Sequence, residues 1–168
     1  WLEEQPTWRY ELVDGQIVAM NPQRAVHIKV KVRVVIALEG ATKGKPFHVL
    51  GDGMCVRIDE RTVFEPDALV YGGKEIADET TVIANPIVVV EVLSPGTKTV
   101  DTTKKLEGYF KLASVEHYLV IDPDARTLTR HARATAGALS SATLASGVLG
   151  LQPPGLEIDV GGLFADVA

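Results

Sequence analysis

Two acidic residues lie in segments that otherwise resemble buried strands. Glu91 is inside the apolar run Ile87–Leu93, and Asp67 follows Pro66 at the start of the run Ala68–Tyr71. A carboxylate buried alone costs several kcal/mol, so each acid needs a metal ion, a cation or several hydrogen-bond donors. Acids at two strand-like positions, with lysines downstream, indicate a site for a hydrated cation that acts on phosphates.

The composition sets the class of protein in which this site would lie. The chain has 168 residues, and we expect one domain over residues 1–168. The single cysteine, Cys55, excludes an internal disulfide and fits a reducing cytoplasm, and no apolar run approaches the ~20 residues that span a membrane. The net charge of −5 opposes tight non-specific binding to nucleic acids, although a local basic patch beside an acidic metal site would still attract phosphates.

The elements that must position the two acids follow from the hydrophobic pattern. Asp14-Gly15 between two apolar-rich runs predicts a hairpin at the start of the chain. Arg24–Thr42 has both alternating and helical spacing of its apolar residues, so the pattern alone leaves strand and helix open. Pro86–Leu93 is a β-branched run and predicts a central strand buried on both faces.

Further segments complete a mixed sheet flanked by helices. Val100–Ala113 has helical spacing, with Thr99 as its predicted N-cap. Strands are predicted at Phe47–Asp59, Thr62–Tyr71, His117–Ile121 and Thr127–Arg133, and an apolar tail after Pro153 is expected to dock on the body. The fold class is therefore α/β.

Several short motifs occur in an order that resembles the Uma-two family of restriction endonucleases. They are Arg9–Gly15, Glu65–Asp67, Val90–Pro95, Asp101 with Lys105 and Tyr109, Tyr118–Pro123 and Pro154–Ile158. Each motif alone is weak, but their joint order and spacing is specific and covers about residues 9–164. The resemblance implies the restriction-endonuclease-like fold of the PD-(D/E)XK nucleases, with a helix at Arg24–Thr42.

The resemblance also implies a role for each candidate site residue. Asp67 and Glu91 would be the two acids of the motif and would hold Mg²⁺ or Mn²⁺, with the carbonyl of Val92 as a third oxygen ligand. Leu93 stands where the usual motif has lysine, so a lysine of the following helix, Lys105, would replace it.

Two further acids would assist the site that the resemblance implies. Asp101 would orient the Lys105 ammonium, and Glu11 would add an acidic contact. The implied activity is metal-dependent endonucleolytic hydrolysis of DNA, with a homodimer expected because cutting two strands needs two sites. We also expect Lys104 to point away from the site.

Structural interpretations stand beside these roles. Asp67 would cap a turn, Glu91 would pair with a structural cation, and Asp101 with Lys105 would be an ordinary exposed helix pair. Glu11 would be structural. The alternative function is a non-catalytic nucleic-acid-binding or assembly domain that retains the nuclease fold, which the acidic net charge and Leu93 favour.

The basic and histidine residues of Arg24–Thr42 complete the candidates. His27 would touch substrate or metal, but a single histidine is more often a surface or capping residue whose hydrogen bonds are made. The basic residues of this segment would face phosphates, although a solvated helix face is the more frequent arrangement. They are Arg24, Lys29, Lys31 and Arg33.

Overall fold

A computed structural model of the chain describes residues 9–20, 22–94, 98–134 and 137–165, with only the backbone described for 98–102. The chain forms thirteen strands and two α-helices within these residues, and the mixed α/β class predicted from the sequence is confirmed. The helices are α1 (Ala25–Thr42) and α2 (Lys98–Tyr109), and a short 3-10 helix covers Gly161–Phe164.

The central layer is a six-stranded sheet in the order β11-β10-β9-β8-β6-β3. Its strands β8 and β9 are parallel and joined by α2, while its other pairs are antiparallel. Its bounds are β3 Phe47–Gly51, β6 Ala68–Gly72, β8 Pro86–Val92, β9 His117–Asp122, β10 Thr127–Arg133 and β11 Leu139–Leu144. The β-branched run around Glu91 is thus a central strand, as predicted.

A second sheet of five strands has the order β2-β1-β5-β4-β7, and β12 pairs with β13. The bounds are β1 Tyr10–Val13, β2 Gln16–Ala19, β4 Cys55–Asp59, β5 Thr62–Phe64, β7 Val82–Ile83, β12 Val148–Leu151 and β13 Leu156–Asp159. Asp14 and Gly15 both have positive φ, as a type I′ hairpin turn requires, so the predicted hairpin is confirmed.

The predicted strands Phe47–Asp59 and Thr62–Tyr71 were each wrong in one respect. Each is two strands that belong to different sheets. Phe47–Asp59 breaks around Gly53, whose φ of +106° suits glycine, and Thr62–Tyr71 breaks at Pro66, which cannot donate a ladder hydrogen bond. The second break carries the chain from one sheet to the other and leaves Asp67 just ahead of β6.

The two faces of the six-stranded sheet bury separate apolar clusters. Side chains of β8 alternate between them: Val88, Val90 and Val92 pack with α1, whereas Val89 and Leu93 pack on the side of α2. The predicted docking of the tail is confirmed, because β12, β13 and the 3-10 helix complete the cluster under α1.

Helix α2 begins at Lys98, so the predicted N-cap Thr99 lies inside its first turn, and the helix ends at Tyr109 rather than at Ala113. It connects the parallel strands β8 and β9 as a crossover helix. This connection places residues of α2 over the face of the sheet that carries Glu91.

Candidate active site

Asp67 and Glu91 lie side by side on neighbouring strands. Strand β6 pairs with β8 so that Ala68 is opposite Val90, and the Asp67 N–H donates to the Val90 carbonyl at 2.9 Å. This bond departs from the regular ladder and holds Asp67, just ahead of β6, beside the end of β8. The predicted adjacency of the strands that carry the two acids is therefore observed, whereas the convergence of the two carboxyl groups stays a prediction.

Glu91 is held by two residues from one face of α2. Lys105 Nζ lies 2.9 Å from Glu91 Oε1, and the Tyr109 hydroxyl donates to the same oxygen at 2.7 Å. Residues four apart share a helix face, so one helix orientation delivers both contacts. Lys105 Nζ also lies 2.9 Å from Glu11 Oε1, which brings the hairpin strand β1 into the site.

The two adjacent lysines of α2 have different surroundings. Lys105 is 5% exposed, and its ammonium lies 5.7 Å from the centre of the Phe64 ring. Lys104 is exposed and forms an ion pair of 3.1 Å with Asp14 on the hairpin turn. Their directions agree with the rotation of about 100° between successive helix residues. The catalytic role of Lys105 stays a prediction.

Asp67 is held by Lys31, a residue that was expected on a solvated helix face. Lys31 of α1 forms an ion pair with Asp67 Oδ1, and the Val92 N–H donates to Asp67 Oδ2 at 2.6 Å. Lys31 is buried, so the expectation of a solvated face was wrong for this residue. It lies in phase with the buried residues His27, Val34 and Leu38 of α1, and this spacing was the signal that could have identified it.

An outer group of charges links the two lysines. Arg9 holds Asp52 through two hydrogen bonds of 2.5 and 2.8 Å and also forms an ion pair with Glu65. The Glu65 N–H donates to Glu11 Oε1 at 2.8 Å, and Lys31 Nζ lies 3.5 Å from Asp52 Oδ1.

We call the connected set the charge network. Among the described residues it contains five carboxyl groups and three cationic groups. The members are Glu11, Asp52, Glu65, Asp67 and Glu91 with Arg9, Lys31 and Lys105.

Burial governs proton binding in the network. Loss of solvent raises the pKa of Glu91 to about 8, against the opposing Lys105 charge and with additions from the Asp67 and Glu11 charges. Burial also raises the pKa of Asp67, although Lys31 opposes this shift. Burial moves the pKa of Tyr109 well above 10, so its hydroxyl keeps the proton that it donates to Glu91. The positive charge around Glu91 is therefore too small for this buried group to ionise at the pH at which an exposed glutamate does.

Three other predicted residues have different outcomes. His27 is buried rather than at the surface: its Nε2 donates to the Leu93 carbonyl at 2.6 Å, and its Nδ1 has no hydrogen-bond partner among the described residues. The side chain of Asp101 lies outside the described residues, so its predicted orientation of Lys105 stays a prediction. For Val92 the observed contact is through its N–H, and the role of its carbonyl as a metal ligand is also still a prediction.

The donor set fits a hard divalent ion bound by few protein ligands. No group of three His, Cys, Asp or Glu side chains that could hold a metal occurs among the described residues. Mg²⁺ commonly uses one or two carboxylates and keeps several waters or substrate phosphates, and Asp67 and Glu91 supply that number.

The mixed sheet with its flanking helices has the restriction-endonuclease-like α/β fold. Residues 1–161 match the model of the Uma2 family, "Putative restriction endonuclease", and the chain belongs to this family. Its fold is similar to that of "a putative nuclease belonging to DUF820" from Anabaena variabilis, with a TM-score of 0.75 and 15% identity over 95% of this chain and 91% of that one. No curated protein matches the chain, and none of the described helices is long and apolar enough to cross a membrane.

Proposed function

We propose that the protein is a Mg²⁺-dependent endonuclease that hydrolyses DNA phosphodiester bonds at the site of Asp67 and Glu91. The observation that carries this proposal is the position of two buried acids, Asp67 just ahead of β6 and Glu91 in the adjacent β8, with Lys105 Nζ 2.9 Å from Glu91 Oε1. Membership of the Uma2 family supports the reaction class.

The reaction is the attack of water on phosphorus. A new phosphorus–oxygen bond forms, the bond to one bridging oxygen breaks, and the products are a phosphomonoester and an alcohol. A metal ion bound by Asp67 and Glu91 would lower the pKa of its bound water and offset the charge of the phosphate. We expect the carbonyl of Val92 to contribute a further oxygen ligand.

Lys105 is the residue that would act on the reacting phosphate group. Its ammonium is already among the acids of the site, where it would stabilise the charge that develops on the phosphate oxygens and orient the attacking water. Glu11 and Tyr109 hold these groups in place. Glu11 shares the Lys105 ammonium with Glu91, and Tyr109 fixes the Glu91 carboxyl group. Asp101, one turn before Lys105, would add to the orientation of the ammonium.

A cleavage assay tests the proposal directly. Labelled duplex, single-stranded and branched DNA would be incubated with the protein in Mg²⁺, in Mn²⁺ and in EDTA, beside an Asp67→Asn variant. We expect cleavage in either metal, none in EDTA and none with the variant. Binding of DNA and of metal without cleavage of any substrate would instead favour the non-catalytic binding or assembly domain.

A homodimer would give the protein two such sites, one for each strand of a duplex. Sedimentation of the protein alone and with uncleaved duplex tests this assembly. Nicking of one strand by a monomer would remove the reason for the dimer but not the proposed chemistry.

A further inference from the structure

We propose that Lys31 is a built-in counter-ion, which holds Asp67 when no metal is bound and transfers to Asp52 when a divalent ion takes its place. The inference rests on the proposed function, because it requires that Asp67 ligates the metal. It adds a residue that sets how tightly this chain binds the ion.

The contacts of Asp67 leave an incoming cation in competition with Lys31. One carboxyl oxygen accepts the Val92 N–H, and the other forms the ion pair with Lys31. Both side chains are less than 10% exposed, so the pair is formed away from bulk water. A divalent ion that binds the Lys31-facing oxygen must displace the ammonium or share the carboxylate with it.

Asp52 provides a second acceptor for the displaced ammonium. Its Oδ1 is 3.5 Å from Lys31 Nζ, and Arg9 fixes the carboxylate by two hydrogen bonds. A cavity of about 280 Å³ is lined by Lys31, Asp52 and Asp67 together with apolar side chains of α1. The Lys31 ammonium therefore has space beside Asp67 and an oriented partner in Asp52.

This arrangement predicts opposite effects for two substitutions. Lys31→Gln removes the competing charge but keeps a hydrogen-bond donor for Asp67, so the metal should bind more tightly. Asp52→Asn removes the charge that receives the displaced ammonium, so the metal should bind more weakly. A cation at hydrogen-bond distance changes the proton affinity of a carboxylate by about 10- to 1,000-fold, and we expect at least about tenfold for Mn²⁺ with Lys31→Gln.

The experiment is calorimetric titration of Mn²⁺ into the metal-free protein, without substrate. The variants are Lys31→Gln, Asp52→Asn and the double variant, with Lys29→Gln as the control for loss of an exposed positive charge on the same helix. The control should bind as the wild type does. The effect of Asp52→Asn should largely disappear in the Lys31→Gln background, because the ammonium that needs Asp52 is absent there.

Equal or weaker Mn²⁺ binding by Lys31→Gln would overturn the inference. If this variant does not fold, Asp52→Asn at its half-exposed position still decides, since unchanged or tighter binding by that variant would overturn it. Asp67→Asn separates the two proposals. Asp67-dependent binding that is insensitive to Lys31 would refute only the counter-ion, whereas equal binding by Asp67→Asn and the wild type would refute the metal site as well.

Discussion

Glu91 has both signs of charge as neighbours and almost no contact with water. Its pKa is raised from 4.5 to about 8, chiefly by burial, so the folded protein keeps a proton that the unfolded chain releases. Below about pH 4.5 both states hold this proton and the contribution to stability is complete. As the pH rises from about 4.5 to about 8, the unfolded state binds fewer protons than the folded state and the contribution is lost.

Thermal unfolding of the wild type and of Glu91→Gln in EDTA tests this proton linkage. We expect the wild type to lose stability relative to Glu91→Gln between pH 5 and 8, by on the order of a few kcal/mol. The Gln side chain has no proton to lose, so the difference isolates position 91. Parallel pH profiles for the two proteins would contradict the burial-driven shift of the Glu91 pKa.

The adjacent lysines of α2 supply a matched pair for testing catalysis. Lys105→Ala should reduce the rate of metal-dependent cleavage by about 10²- to 10³-fold, because a charge donor at the reacting group is lost. Lys104→Ala removes an exposed ion pair with Asp14 and should retain most of the activity. Single-turnover cleavage at saturating metal measures both. A Lys105→Ala rate equal to that of the wild type would leave the metal site standing but assign the lysine wrongly.

The residues of the site differ in how far the sequence could predict them. Asp67 and Glu91 lie in short motifs, and Lys105 is at helical spacing from Asp101 and Tyr109, so local signals indicated these residues. Lys31 lies more than thirty residues before Asp67 in the chain. Its pairing with that acid depends on how α1 packs on the sheet. The helical spacing of Lys31 with buried residues indicates that it is buried, but it does not indicate which acid it contacts.

The pattern of apolar residues in helix α1 explains why the sequence alone left helix and strand open for this segment. Apolar side chains lie on opposite sides of it: Val30 and Val34 are buried, whereas Ile28, Val32 and Ile36 are 52%, 53% and 65% exposed. A helix with apolar residues on both sides has the same alternating pattern as a strand over part of its length. The core beneath the helix, which Ala68, Val70 and residues between 88 and 164 form, selects which side is buried.

Helix α2 has its own constraint, which lies in Gly108. A Cβ at this position would be 2.5 Å from Cε2 of Phe64, and the Phe64 ring is buried and cannot move aside easily. Gly108→Ala should therefore lower stability by about 1–2 kcal/mol, since overpacking exceeds the gain in helix propensity. The displaced helix would also move Lys105 from Glu91 and weaken cleavage.

The control for this substitution is Gly40→Ala in α1. Gly40 is helical and exposed, and no atom lies within 4 Å of a Cβ built there. This change should raise stability by up to about 1 kcal/mol through helix propensity alone. Midpoints of urea unfolding that shift in the same direction for both variants would contradict the close packing of α2 on Phe64.

We expect a metal ion bound within the charge network to stabilise the whole molecule. Ligand that binds only the folded state stabilises it by about 2.7 kcal/mol at a concentration 100 times its Kd. At this size of protein that corresponds to a rise in Tm of roughly 5–10 °C. We expect this rise for the wild type in Mn²⁺ or Mg²⁺, and none for Asp67→Asn.

Differential scanning calorimetry with and without metal measures this linkage, and K⁺ at equal ionic strength controls for general screening. A rise that Asp67→Asn shares in full would place the bound ion elsewhere in the molecule.

The apolar cluster under α1 is completed by the segment from Leu149 to Phe164, far along the chain from the helix that it supports. A growing chain on the ribosome therefore exposes α1, and with it Lys31 and His27, until that segment has been synthesised. The pairing of Glu91 with Lys105 lies on the other face of the sheet, whose apolar cluster uses no described residue beyond Val120. We therefore expect the two faces of the sheet to be completed at different stages of translation, with the surroundings of Lys31 completed last.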